Sequence, residues 1–188
     1  MICLTLTRHG QTTENQEGIL QGQSPGHLNQ TGIEQAQQLA TKLKAEDYDL
    51  IICSDLERTR LTAEIINKRL CLPIEYTPLL RERDWGEYTG LYIRDIIMPP
   101  SKFPPSVENA TQLGERAKHF LEFLLEKHDN KRLLAVGHGY FNRCVQAFIE
   151  QKSVRKTPRW ENTELRIFNI TPKTATHNAP TDFIVSEN

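Results

Sequence analysis

Ile2-Cys3-Leu4-Thr5-Leu6-Thr7 runs directly into Arg8-His9-Gly10, and Arg132-Leu133-Leu134-Ala135-Val136-Gly137 runs directly into His138-Gly139. Both are short apolar runs that stop at a histidine followed by a glycine. The first alternates and predicts a strand over 2–7 ending at Arg8. The second predicts a buried strand over 132–137. Between them Asp49-Leu50-Ile51-Ile52-Cys53 predicts a third, ending in Ser54. Helical patterns separate these strands. Ile33, Ala36, Leu39, Ala40 and Leu43 make one stripe over 31–44, with Thr31 and Glu34 as a capping box. Ser54 and Glu57 predict a second box, opening a helix with Leu56, Ala63, Ile66 and Leu70 on one face. A further helix is expected near 108–127, carrying Leu113, Ala117, Phe120, Leu121 and Leu124, and another over 140–151. Residues 164–170 read as a strand, and Phe183–Val185 as an edge strand in a polar tail. Residues 77–107, rich in proline, predict loop with short helical pieces at most. Strands alternating with helices predict an α/β fold, a three-layer α/β/α sandwich with a largely parallel central sheet.

The chain has 188 residues, which predicts a single domain over 1–188. Such a length buries roughly 70% of its unfolded surface and needs no metal or disulfide staple. Lys plus Arg is 23 and Asp plus Glu is 24, a net charge of −1, which argues against a general nucleic-acid binder. The N-terminal stretch has no charged region followed by a long apolar core, and no apolar run approaches a membrane span. Cys3, Cys53, Cys71 and Cys144 are scattered with no paired spacing. They predict reduced, mostly buried thiols and a cytoplasmic protein without membrane partners.

Ligands of open α/β sheets bind beyond the carboxyl ends of the strands. The three strand ends bring Arg8, His9, Arg58 and His138 to one crevice, a pocket suited to a dense anion such as phosphate. Gly10 and Gly139 let the backbone approach a ligand closely. Arg58 and Arg60 occupy the first turn of a helix, where cations are mildly unfavourable. Either they are solvated surface residues, or one faces an anion shared with the helix N-terminus. His27, His119, His128 and His177 lack the strand-end context and read as solvent-facing or structural. No GxxxxGK[ST] loop and no GxSxG elbow is present. Cys53 and Arg58 stand one residue too close for a Cys-x5-Arg phosphatase loop. Asp47-x-Asp49 lacks the threonine an aspartyl phosphatase start would want.

Arg8-His9-Gly10-Gln11-Thr12-x-x-Asn15 resembles the signature of the histidine phosphatase (phosphoglycerate-mutase-like) superfamily. The likeness continues through Leu20-Gln21-Gly22-Gln23, Leu28-x-x-Thr31-Gly32-x-x-Gln35-Ala36 and Ser54-Asp55-Leu56-x-Arg58-Thr59. Leu80-x-Glu82-x-x-x-Gly86-x-x-x-Gly90 and Val136-Gly137-His138-Gly139 follow in order. The resemblance implies His9 as the nucleophile that carries the phosphoryl group. It implies Arg8, Arg58 and His138 as the phosphate pocket, with Asn15 as an added donor. Glu82 is implied as proton donor, and Gln21, Gly22 and Gly139 as substrate-side contacts. Taken alone, Glu82 between Arg81 and Arg83 would read as a solvated salt-bridging residue. The chemistry needs no metal, because fixed cations can stabilise the charge spread over the equatorial oxygens.

The resemblance implies a hydrolase, a phosphatase acting on a small phosphorylated metabolite without a cofactor. The glycolytic mutase branch has a Phe-Thr-Gly-Trp stretch and a Trp-Arg-Arg-Ser stretch that are absent here. Ile19–Gln23 and Leu80–Arg83 are similar to the fructose-2,6-bisphosphatase-like and broad phosphatase branch. A mutase and a non-catalytic phospholigand-binding module remain the alternatives. A metal site of His9, His138 and Glu82 is disfavoured by Arg8 and Arg58 beside it. Val107-Glu108-Asn109 replaces the family's Gly-Glu-Ser, Tyr140 stands where a small residue is usual, and Ser24-Pro25-Gly26-His27 lacks the usual acidic residue. These departures bear on the substrate, which the sequence does not name.

Overall fold

A computed structural model describes residues 1–99, 102–180 and 183 of the chain. Its centre is a five-stranded sheet of β1 (Ile2–Arg8), β2 (Leu50–Ser54), β3 (Ile74–Thr77), β4 (Arg132–Gly137) and β5 (Leu165–Ile170), in the order β3-β2-β4-β1-β5. All neighbours run parallel except β5, which lies antiparallel on the β1 edge. The register pairs Arg8 with Gly137, so the two histidine-bearing ends lie side by side.

The helices are α1 (Thr13–Glu17), α2 (Gln30–Lys42), α3 (Glu57–Leu70), α4 (Ala110–His128), α5 (Gly139–Glu150) and α6 (Pro172–Ala175). Successive strand residues point to opposite faces. Leu50, Ile52, Leu133 and Ala135 therefore pack with α4 and α5 residues such as Phe120, Leu124, Phe141 and Phe148. Ile51, Cys53, Leu134 and Val136 pack against Leu39 of α2 and Ala63, Ile66 and Leu70 of α3. This is the three-layer α/β/α arrangement expected from the sequence.

Several local expectations differ. α2 is capped by Asn29, whose side chain accepts from the Gly32 N–H, not by a Thr31–Glu34 box. α3 has Leu56 at its N-cap and no side-chain cap, since leucine carries no acceptor; the Ser54 hydroxyl lies 2.9 Å from His138 Nε2 and accepts from the Leu56 N–H at 3.4 Å, not from an N–H inside the first turn. Strand β3 and helix α1 lie outside the predicted elements. β3 has only four residues at the sheet edge, of which Thr77 alone is buried, and α1 is one five-residue turn with no buried residue. Neither carries a long enough pattern to read. Phe183 sits in a turn with its ring in the core. The rest of the expected edge strand at 184–185, like residues 100 and 101 of the proline-rich stretch, lies outside the described residues. Cys53 and Cys144 are buried, Cys3 is partly buried, and Cys71 is exposed where α3 ends. His128 is buried against Glu75 at 3.1 Å. Among the described residues, no helix is long and apolar enough to cross a membrane.

Candidate active site

The carboxyl ends of β1, β2 and β4 open into a cleft of about 840 Å³. His9 forms its floor. The residue is 2% exposed, and its Nδ1 lies 2.7 Å from the Gly10 carbonyl oxygen. A carbonyl only accepts, so Nδ1 carries the proton and Nε2 keeps its lone pair. Burial, then the charges of Arg58 and Arg8, hold the His9 imidazole well below its ordinary pKa of 6.5, so it is neutral.

The loop bearing His9 is clamped from three sides. Gly10 N–H donates to Thr62 Oγ1 of α3 at 3.1 Å. Asn162 Nδ2 donates to the His9 carbonyl at 2.9 Å, and Thr163 N–H to that of Arg8 at 3.0 Å. Gly10 also faces Gly32 at the start of α2. A Cβ on Gly10 would collide with the Gly32 carbonyl, so two glycines are what allow the backbones to touch.

Arg58 is 1% exposed. Its Nη1 and Nη2 donate to the carbonyls of Ser24 at 2.9 Å and Gly22 at 2.7 Å. Burial brings its pKa down to about 10, with Arg8 pushing the same way and Glu82 and Glu14 opposing, so it remains charged at neutral pH. Arg8 donates from Nη1 to the Trp160 carbonyl at 2.8 Å. A Cβ on Gly139 would come within 3.1 Å of Arg8 Nε, so Gly139 leaves room for that guanidinium. The Nε atoms of both arginines are buried without a protein partner among the described residues. A guanidinium has five N–H donors, so both keep donors for an anion.

Glu82 reaches the site from the loop after β3. Its Oε1 accepts from the backbone N–H of Arg83 at 2.8 Å and of Phe141 at 2.9 Å, and its Oε2 from that of Tyr140 at 3.1 Å. The carboxylate therefore sits on the N-terminus of α5, where N–H groups and the helix dipole complement negative charge. Arg116 of α4 holds the delivering loop. It donates to the Leu79 carbonyl at 3.2 Å and the Arg81 carbonyl at 2.6 Å, and pairs with Glu108 at 2.6 Å.

His138 is fully buried and lies behind His9, with ring centroids 5.2 Å apart at 63°. Its Nε2 is 2.9 Å from Ser54 Oγ, and its Nδ1 has no partner among the described residues. Burial and the charge of Arg58 hold its pKa well below 6.5. Asn142 accepts from the His138 backbone N–H at 3.2 Å and donates to the Thr7 carbonyl at 3.0 Å, tying β4 to β1.

Arg8, His9, Asn15, Gln21, Gly22, Arg58, Glu82 and Gly139, all predicted site residues, line this one cleft; His138 lies beneath it. Asn15 also caps α1 in a reciprocal box with Thr12. Gln21 Nε2 donates to Thr12 Oγ1 at 2.8 Å, and its Oε1 is buried without a partner among the described residues. The sequence reading missed Thr62, Asn142 and Asn162. Thr62 and Asn142 each stand four residues beyond a predicted site residue, Arg58 and His138, one helical turn along; that spacing is the one signal that could have found them. Glu82 turns both its oxygens to backbone N–H groups. Among the described residues no cluster of His, Cys, Asp and Glu is arranged to hold a metal ion.

Comparison with known proteins gives one consistent answer. The chain is 34% identical over 140 residues to the protein named "Uncharacterized phosphatase PhoE" of Bacillus subtilis, covering 74% of this chain and 72% of that one. It is 33% identical over 181 residues to "Probable phosphoglycerate mutase GpmB" of Escherichia fergusonii, covering 90% and 82%. The crystal structure of the alpha-ribazole phosphatase from Shigella flexneri superposes with a TM-score of 0.79 at 26% identity, over 91% of this chain and 92% of that one. A family model described as histidine phosphatase superfamily (branch 1) matches residues 4–182. With the sheet order, the paired histidine-bearing strand ends and these likenesses in agreement, the chain belongs to branch 1 of the histidine phosphatase superfamily.

Proposed function

We propose that the chain is a metal-independent phosphomonoesterase that hydrolyses a small phosphorylated metabolite through a phosphohistidine at His9. The observation that carries this reading is the bond from His9 Nδ1 to the Gly10 carbonyl. It leaves Nε2 of a neutral imidazole as the nucleophile, between two guanidiniums with donors to spare.

In the first step Nε2 attacks phosphorus opposite the ester oxygen. The P–N bond forms as the P–O bond breaks, and Glu82 gives a proton to the leaving oxygen; Glu82 enters this step protonated, against three backbone N–H groups that favour its ionised form. Arg8, Arg58 and His138 stabilise the charge spread over the equatorial oxygens. In the second step the Glu82 carboxylate takes a proton from water, whose oxygen attacks phosphorus. The P–N bond breaks, inorganic phosphate leaves, and His9 and Glu82 return to their starting forms.

The relative named as a phosphoglycerate mutase favours a second reading. There an acceptor hydroxyl replaces water in the second step. The missing Phe-Thr-Gly-Trp and Trp-Arg-Arg-Ser stretches favour hydrolysis. The test is phosphate release from p-nitrophenyl phosphate and a panel of phosphometabolites in EDTA, with wild type and His9→Ala. EDTA-resistant release that vanishes in the variant supports the phosphatase. Phosphate passed from a bisphosphorylated primer to an acceptor without release supports the mutase.

A further inference from the structure

The cleft is wider and more basic than one phosphoryl group requires. Arg143, Arg155 and Arg159 line it together with Arg8 and Arg58, while Glu82 is the one acidic residue in its lining. Arg155 and Arg159 are exposed, and neither forms an ion pair among the described residues. The loop that carries them, 154–160, is not free to drift. Arg143 donates to the carbonyls of Val154 at 2.7 Å and Thr157 at 2.9 Å. Arg166 donates to those of Pro158 at 3.3 Å and Arg159 at 2.7 Å. Arg8 itself holds the Trp160 carbonyl. The same guanidinium thus touches both the phosphoryl pocket and the distal loop. Arg159 and Arg166 both press on the charge of Arg143, so the rim concentrates positive charge in a protein of net charge −1. Low-dielectric walls around like charges focus the field into a cleft.

We propose that Arg155 and Arg159 form a second anion subsite, so that the preferred substrate is a phosphomonoester with another anionic group at its far end. The proposal rests on the phosphatase reading, which puts the phosphoryl group at His9. Tyr140, Val154 and Trp160 line the same cleft and offer an apolar and aromatic wall. The organic body of the substrate lies against that wall. A carboxylate and a second phosphate share the chemistry that two guanidiniums recognise.

The test is equilibrium binding by calorimetry with non-hydrolysable phosphonates. Three series of matched chain lengths are compared: alkylphosphonates, ω-carboxyalkylphosphonates and alkyl-α,ω-bisphosphonates. Each is titrated into wild type and into the Arg155→Ala/Arg159→Ala double variant. At the best length, wild type is expected to bind a doubly anionic ligand roughly tenfold more tightly than the alkylphosphonate, as one charge-assisted contact provides. The double variant is expected to lose that preference. Whichever doubly anionic series gains more identifies the second group as carboxylate or phosphate. Equal affinities across the series in wild type, or a preference that survives in the double variant, would overturn the subsite. Failure of every phosphonate to bind would overturn the phosphoryl pocket and the subsite with it.

Discussion

Burial and two neighbouring guanidiniums keep the His9 imidazole neutral well below pH 6.5. The nucleophile is therefore ready in mildly acidic solution. The expected kcat/KM, after correction for the ionisation of the substrate, does not fall through the ordinary histidine range between about pH 7 and 6. A loss centred near 6.5 would show that His9 titrates as an exposed histidine does. Glu82 is tested through the leaving group. An alkoxide needs a proton and p-nitrophenolate hardly does. Glu82→Gln is expected to lose about 10²–10⁴-fold on alkyl phosphates and far less on p-nitrophenyl phosphate, and equal losses would exclude the acid role. At this scale the sequence was most informative where a residue ends a strand. His9 and His138 could be read because each follows an apolar run and precedes a glycine. Asn162 could not, because its contact with the His9 carbonyl spans 153 positions and leaves no local pattern.

Among the elements, α4 and α5 do the positioning. The N-terminus of α5 receives the Glu82 carboxylate, and Arg116 of α4 holds the backbone that carries it. The Arg116–Glu108 pair is largely buried, with side chains 15% and 12% exposed. Removing one partner of such a pair costs roughly 3–5 kcal/mol. Arg116→Ala is thus expected to lower stability to urea by that order and to cut turnover of alkyl phosphates as Glu82 loses its support. An unchanged urea midpoint would show that the pair holds nothing. Long helices such as α4 were legible because their apolar stripes repeat over many turns. The caps were not. A sequence cannot tell whether the Ser54 hydroxyl caps α3 or turns to His138, since both partners suit it and only the packed sheet decides. The proline-rich stretch gave no period to read, and it supplies Met98 and Phe103 to the cleft wall.

For the whole molecule, the parallel sheet collects buried neutral histidines at one end, and this couples folding to pH. The folded pKa values of His9 and His138 lie well below 6.5, the ordinary value that the unfolded chain regains. Below about pH 6.5 the unfolded state binds protons that the folded state refuses. Stability is therefore full above that pH and falls as pH drops toward the folded values, by up to roughly 1.4 kcal/mol per pH unit for each histidine. Urea midpoints measured from pH 8 to pH 5 are expected to be level at first and then decline, and His138→Asn should flatten the decline. The central claim concerns one atom, and rapid acid-free quenching of the enzyme during turnover, followed by peptide mass spectrometry and phosphorus NMR, tests it most directly. The expected result is a phosphoryl group on Nε2 of His9, absent in His9→Ala. Steady release of phosphate with no phosphoenzyme, or with the phosphoryl group on another residue, would contradict it.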